Sequence, residues 1–478
     1  MPKLNKLNTI ALTLLITGAI DSIRNLPASA LFGSTLVFFF LFSAIVFLIP
    51  TALVSAELSA NINEGGIYHW ARRAFGERTG FLAVWLQWIN NVVWFPTILS
   101  FIAGTAAYLI DPALAQNKVY MVGSILAVFW LLTLINLRGI RISAKFTSFC
   151  AIIGLLIPMA LIIILLLVWM AIGNPLQFHI TNQNFFPNWS QTDNWIALTA
   201  IIMSFSGMEL ATVHINEVNE PKRTFPRALA ISCLLILLTM ILGSLAIAYV
   251  VPQNQINLVN GTIQTFSYFL SAYHLNWLTP ILTCMLIIGS MGGVISWVVS
   301  PVKGMSQAAK NGFMPKFFEK ENRHGMPQNL LITQAILVSI VCLAFLLMPS
   351  INGSYWLLSA LSTQLYVLMY VIMFICALRL RNHFHHDKQG FTIPGDKFGL
   401  YVVCLLGLIG CAMALIVGFI PPSNINVGSK LHYEMIFIGG MLAMILPAFI
   451  FFWYQKKTML PSEILSLNST IVSENSNS

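Results

Sequence analysis

The chain alternates between long apolar runs and short polar connections, and this pattern predicts its architecture. Each apolar run is about 20 residues long, which is the length that an α-helix needs to cross a bilayer. A transmembrane barrel would instead show segments of roughly ten residues with alternating polarity, whereas a run such as Leu155–Trp169 is apolar throughout. The predicted spans are 9–30, 35–60, 80–110, 119–137, 146–172, 193–218, 227–252, 276–309, 328–347, 354–380, 398–420 and 432–454. The predicted fold class is therefore an all-α polytopic membrane protein with 12 transmembrane helices.

Composition narrows the possible classes of protein further. Hydrophobic residues make up 57% of the 478 residues, and charged residues only 9%, against about 25% in an ordinary soluble domain. A soluble enzyme, a nucleic-acid-binding module or a disordered chain needs a more polar surface, so these classes are excluded. The predicted partners are the lipid bilayer and small-molecule substrates, with no nucleic acid, and the sequence predicts no oligomeric state.

The distribution of basic residues predicts the orientation in the membrane. Of the 25 Lys and Arg residues, all but three lie in segments that the order of the spans places on one side. Lys118 and Lys430 lie on the other side, and Arg24 lies inside the first span. Basic residues accumulate in cytoplasmic loops, so both termini are predicted to be cytoplasmic, in a bacterial inner membrane.

Cysteine and histidine residues give no metal or cofactor prediction. The seven Cys residues lie in apolar spans without a paired spacing, as expected of small core residues. His383, His385 and His386 lie close together in a predicted cytoplasmic loop. Such a cluster is compatible with a pH sensor or a weak metal site, although a solvated loop is the favoured interpretation.

Two predicted spans carry polar interruptions at matching places. The first span contains Ile20–Arg24, and the sixth contains Phe205–Glu209. They lie five spans apart, as in transporters with inverted repeats, whose broken helices bind substrate near the membrane midplane. A charge at this depth costs at least about 2.5 kcal/mol, so Asp21 and Arg24 are expected to face a cavity or the bundle interior. Alternatively, Asp21 and Arg24 neutralise each other, and Gly207 serves only helix packing.

Several motifs together resemble a known family. They are Leu48–Leu58, Glu64–Trp70, Ser204–Glu209 with His214–Glu217 and Pro221, Gln264–Phe266, Ser296 and Trp297 with Pro301, Gly304 and Met305, and Tyr366 with Tyr370. The chain resembles the amino acid–polyamine–organocation superfamily over nearly all of residues 8–455. The resemblance is closest to the glutamate:γ-aminobutyrate antiporter branch.

This resemblance implies a leucine-transporter-like fold with a 5+5 inverted repeat and two further C-terminal helices. The implied segments are a cytoplasmic N-terminus (1–8), a first repeat (9–172), a second repeat (193–380), the last two spans (398–454) and a short polar cytoplasmic tail (455–478).

The resemblance also implies a function, which is amino acid exchange without Na⁺ by alternating access, with glutamate and γ-aminobutyrate as the expected substrate pair. The implied substrate-binding residues are Ile20, Asp21, Ser22, Ile23, Arg24, Phe205, Ser206, Gly207, Met208, Trp297, Tyr366 and Tyr370. Glu209, Trp94 and Glu217 are predicted to act in coupling or gating. A structural hydrogen-bonding role is the alternative for Glu209, and helix packing is the alternative for Trp94.

The chain departs from the family pattern at two places, and these keep other functions open. Asp21 stands where the superfamily usually has a glycine-containing turn, and Gly293 stands where acid-resistance members carry an acidic residue. The alternatives are a cationic or neutral amino acid or polyamine exchanger, or a proton-coupled permease of the same fold. A channel or a sensor is a more remote alternative, and an enzyme is not predicted.

Overall fold

The computed structural model describes residues 8–62, 66–139, 149–188, 190, 195–209, 218, 221–381 and 391–475. In chain order the principal helices are α1 (Thr9–Ile20), α2 (Leu26–Ala30), α3 (Gly33–Asn61), α4 (Ile67–Phe75), α5 (Glu77–Ala107), α6 (Lys118–Leu137), α7 (Phe149–Ile172), α8 (Ala197–Phe205), α9 (Pro221–Val250), α10 (Gly261–Ala272), α11 (Asn276–Phe313), α12 (Gln328–Leu347), α13 (Ile351–Leu380), α14 (Asp396–Val417) and α15 (Lys430–Asn475). Helices dominate these ranges, and no β-strand is assigned among the described residues; an isolated bridge joins Glu321 and Pro327.

Ten helices in the described part of the chain are long and apolar enough to cross a membrane: α3, α5, α6, α7, α9, α11, α12, α13, α14 and α15. Their bounds lie within a few residues of the predicted spans, except that α15 continues past the predicted end at 454 to Asn475. The other two predicted spans, 9–30 and 193–218, are the two with polar interruptions. In both, a helix ends inside the span, at Ile20 (the first break) and at Phe205 (the second break). The 12-span count and the repeat layout stay predictions.

The helices form two sets of contacts that enclose the broken segments. In one set, α1 packs against α9, and α3 packs against α8 and α9. In the other set, α5 packs against α11, α12 and α13. Helix α13 also contacts α8, so the second break lies beside both sets.

A glycine crossing brings α7 and α11 close together beside the first break. A Cβ atom built on Gly154 of α7 would lie 2.1 Å from the Cα atom of Gly289 on α11. Only glycine tolerates so close an approach of two backbones. The crossing therefore holds two helices together at the level where the cavity described below is found.

Candidate functional site

The first break separates α1 from α2 by a short non-helical segment. In the last backbone hydrogen bond of α1, the Asp21 N–H donates to the Thr17 carbonyl at 2.8 Å. Ser22 is extended (φ −144°, ψ 108°), and Ile23–Asn25 forms a 3₁₀ turn before α2. Asp21 and Arg24 thus lie on either side of the extended Ser22 rather than on one helical face.

The second break depends on a glycine. Helix α8 ends at Phe205, Ser206 is extended, and Gly207 has a φ of +115°, a region that side-chain-bearing residues rarely adopt. The freed N–H of Gly207 donates to the Tyr370 hydroxyl of α13 at 2.6 Å. A side chain from a neighbouring helix therefore replaces a lost helical hydrogen bond.

Glu209, two residues beyond that glycine, is held from two other helices. Its side chain is 1% exposed. The hydroxyls of Tyr366 and Tyr370 donate to its two carboxylate oxygens, and the Gln87 side-chain amide of α5 lies 3.4 Å from one of them. Hydrogen bonds to charged groups are stronger than neutral ones, so this cluster ties the second break to α5 and α13.

Arg24 is buried without a carboxylate partner. It is 4% exposed, its Nη1 donates to the Thr97 hydroxyl at 2.9 Å, and its guanidinium lies 5.0 Å from the ring centroid of Trp94. Its Nε has no hydrogen-bond partner, and no Asp or Glu of the described residues lies within 4.0 Å of it. The aromatic face and the hydroxyl offset part of the desolvation cost, but they supply no negative charge.

Asp21 is also buried, and no ion pair is formed by it among the described residues. It is 4% exposed, and the Thr239 hydroxyl of α9 lies 2.8 Å from its Oδ2. That hydroxyl lies equally close to the Leu235 carbonyl and 3.1 Å from the Ile236 carbonyl, so Asp21 shares its one proton with backbone acceptors. Oδ1 of Asp21 has no partner among the described residues. The alternative in which Asp21 and Arg24 form an ion pair is therefore not what the structure shows.

A cavity of about 180 Å³ lies between the first break, α5, α7, α11 and α13. Its wall is formed by Gly18, Ile20, Asp21, Ser22, Ile23, Arg24, Asn25, Asn90, Asn91, Trp94, Ile98, Ala151, Gly154, Leu155, Met203, Ser206, Gly207, Gly289, Ser290, Gly293, Val294, Trp297, Ser362, Thr363 and Tyr366. The Trp94 and Trp297 rings lie 5.8 Å apart on one side. Charged, amide, hydroxyl and aromatic groups converge here, as they do in sites for small polar ligands.

The predicted site residues divide into two groups in the structure. Ile20, Asp21, Ser22, Ile23, Arg24, Ser206, Gly207, Trp297, Tyr366 and Trp94 line the cavity. Phe205, Met208, Tyr370 and Glu209 are buried behind the wall rather than part of it. Glu217 and the histidines His383, His385 and His386 lie outside the described residues. Their proposed roles stay predictions.

Several polar residues of the site were not singled out from the sequence. Thr97 and Thr239 contact the two buried charges, Gln87 contacts Glu209, and Ser362 and Thr363 line the cavity. The available signal was positional: Thr97 follows Trp94 by three residues on the same helix face, and Thr239 interrupts an otherwise apolar run. Among the described residues, no group of three or more His, Cys, Asp or Glu side chains is placed to hold a metal ion.

Comparison with known proteins gives a consistent classification. The family model described as amino acid permease matches residues 7–442. A protein of Legionella pneumophila described as an uncharacterized transporter is 40% identical over 93% of this chain and 96% of its own length. The glutamate/γ-aminobutyrate antiporter of Lactococcus lactis subsp. lactis is 30% identical over 95% of this chain and 91% of its own. A probable agmatine/putrescine antiporter of the same organism is 23% identical over 83% and 84%.

Proposed function

Since the chain belongs to the amino acid permease family, we propose that it is an amino acid antiporter that exchanges glutamate for γ-aminobutyrate. Membership makes it a multi-pass integral membrane protein and a transporter of small-molecule substrates. The exchange mode and the substrate pair are supported by the 30% identity to an antiporter of that type. The basic residues on one side of the spans support a bacterial inner-membrane location with both termini in the cytoplasm.

One observation carries the proposal, which is the unpaired Arg24 in the cavity wall. A buried guanidinium without a carboxylate is costly, and a substrate carboxylate removes that cost by forming charge-assisted hydrogen bonds. Glutamate and γ-aminobutyrate both bring a carboxylate, and their aliphatic stems fit beside Trp94 and Trp297. The side of the cavity that Arg24 occupies would therefore recognise the group that both substrates share.

The contacts of the helices suggest how access alternates. The first break belongs to a set with α3, α8 and α9, and Met203, Ser206 and Gly207 at the second break add to this side of the cavity wall. The rest of the wall comes from α5, α7, α11 and α13. Rocking of the first set against the second would open the cavity to either side in turn, as in other transporters with broken helices. The charges of the first break would move with one set and the aromatic pair with the other.

A second candidate function is exchange of cationic amino acids or polyamines. Asp21 favours it, because a carboxylate oxygen without a hydrogen-bond partner suits an ammonium group. Arg24 opposes it for a diamine such as putrescine, since a buried guanidinium in the same wall repels a second ammonium. We therefore favour a substrate that carries both charges.

The test is uptake of radiolabelled glutamate into proteoliposomes loaded with glutamate, γ-aminobutyrate, arginine, agmatine or buffer, at an acidic and a neutral pH. We expect saturable uptake that requires internal glutamate or γ-aminobutyrate. Uptake equally fast into liposomes loaded with buffer would replace exchange by a permease mode. No glutamate uptake under any load, in protein that is monodisperse and folded, would overturn the substrate assignment.

A further inference from the structure

The first break contributes two opposite charges that do not satisfy each other. Asp21 and Arg24 are three residues apart, which on a continuous helix would place them side by side. The extended conformation of Ser22 separates them, and no ion pair joins them. Both are 4% exposed, and both line the cavity.

Neither charge is compensated by another described residue. The Thr239 hydroxyl near Asp21 is neutral and shares its proton with the Leu235 carbonyl. Arg24 meets the Thr97 and Tyr355 hydroxyls and the Trp94 ring, all of them neutral groups. Burying two charges without counter-ions costs considerable free energy inside a membrane protein. A ligand in the cavity is positioned to supply the missing opposite charges.

We propose that Asp21 binds the ammonium group of the substrate while Arg24 binds a carboxylate, so that the first break holds both ends of an amino acid. Asp21 is then the specificity-determining residue for the amine. This inference rests on the proposed function, and it adds a selection rule. Molecules with a carboxylate but no amine lose the contact with Asp21, and diamines meet the repulsion of Arg24.

The experiment measures apparent dissociation constants from ligand-induced shifts of the melting temperature of the purified full-length protein. The ligands are glutamate, γ-aminobutyrate and glutarate, which keeps both carboxylates of glutamate but lacks its amine. For the wild type we expect glutamate to bind at least about tenfold more tightly than glutarate, as a charge-assisted contact implies. In Asp21→Asn this ratio should fall to within about threefold, with the glutarate constant unchanged.

Two further variants separate binding from folding. Asp111→Asn makes the same chemical change at an exposed helix-capping position and should leave all three constants unaltered. Asp21→Glu retains the charge and should recover part of the preference for the amine. Asparagine is nearly isosteric with aspartate and can still accept from Thr239, so a folded Asp21→Asn protein is expected.

The possible outcomes have distinct meanings. A glutamate-to-glutarate ratio in Asp21→Asn equal to the wild-type ratio would overturn the inference. Equal weakening of both ligands would also overturn it, because Asp21 would then act through the shape of the break. Failure of the wild-type protein to bind glutamate or γ-aminobutyrate would instead overturn the proposed function on which the inference depends.

Discussion

The two helix breaks each carry a buried acidic residue, but the two carboxylates have different hydrogen-bond partners. Glu209 at the second break receives the hydroxyls of Tyr366 and Tyr370 and lies beside the Gln87 amide. Asp21 at the first break receives the shared Thr239 hydroxyl and a backbone contact from Ser22, and its Oδ1 has no partner among the described residues. A carboxylate saturated by neighbouring helices stabilises a fixed geometry, whereas one short of donors is available to a ligand. The two breaks occupy matching positions in the sequence, but they differ in how fully neighbouring helices satisfy the hydrogen bonds of their carboxylates.

The backbone shows the same division. Gly207 needs its positive φ and gives its N–H to Tyr370, so the second break is fixed to α13. Ser22 is simply extended, and any residue can adopt that conformation. The second break therefore requires a glycine at a fixed position, whereas the backbone of the first break requires no particular residue at Ser22.

The largest effect is expected from Arg24→Gln. Glutamine removes the charge but keeps a donor for Thr97, so the carboxylate of the substrate loses its counter-ion in a desolvated site. We expect kcat/KM for glutamate exchange to fall by about 100-fold, in line with loss of a buried charged contact. Counterflow in proteoliposomes at matched protein density measures this.

The matched control for Arg24→Gln is Arg78→Gln. Arg78 is exposed beside the start of α5, so its loss should leave exchange within a factor of about two. Exchange by Arg24→Gln at the rate of the Arg78 variant would show that the first break does not bind the carboxylate, and the contrast between the two breaks would lose its functional meaning.

A smaller but still large effect is expected from Glu209→Gln. The amide cannot accept from both Tyr366 and Tyr370, so one buried hydroxyl loses its acceptor, a cost of about 1–3 kcal/mol. We expect exchange to slow by about tenfold and the melting temperature to fall. Tyr370→Phe breaks the same cluster. The loss of melting temperature in the double variant should therefore be smaller than the sum of the losses in the two single variants.

Glu319→Gln provides the comparison, because Glu319 lies in a short turn away from the cavity. Wild-type exchange by Glu209→Gln at every pH tested would remove Glu209 from coupling and gating. Additive losses with Tyr370→Phe would mean that the two residues do not act as one clamp. Either result would weaken the description of the second break as a saturated, structural junction.

The sequence predicts the position of both breaks but not the difference between them. Span length and polar interruptions are local properties, so the bounds of α12 and the end of α1 near Asp21 follow from the pattern alone. Whether Asp21 pairs with Arg24 depends on the φ and ψ of Ser22. The spacing of the two residues is compatible with both answers.

The side-chain contacts between helices also cannot be predicted from the sequence of any one segment. Gln87, Thr97 and Thr239 meet the charged residues only because α5 and α9 pack beside the breaks. Tyr370 was predicted to bind substrate by lining or closing the pocket, and it lies behind the cavity wall with its hydroxyl on Glu209 and Gly207. Long-range packing decides such roles, and no local spacing encodes it.

The smallest effect is expected from Thr239→Val, which removes the hydroxyl that is hydrogen-bonded to Asp21 without changing side-chain shape. Because that hydroxyl divides its proton between Asp21 and Leu235, its loss costs less than the loss of the Tyr370 hydroxyl, which serves both Glu209 and Gly207. We expect KM for glutamate to rise by about threefold with kcat nearly unchanged, since Thr239 orients the carboxylate and does not itself bind substrate.

Thr283→Val is the matched control for this last change. Thr283 is buried in α11 and its hydroxyl donates to its own helix at the Thr279 carbonyl, as the Thr239 hydroxyl does at Leu235. The control therefore removes the same intrahelical bond without touching Asp21, and KM should stay at its wild-type value. A fall in kcat with KM constant in Thr239→Val would assign Thr239 to the movement of α9 instead. The donor-poor state of Asp21 would then reflect helix packing, and the two breaks would differ in packing alone.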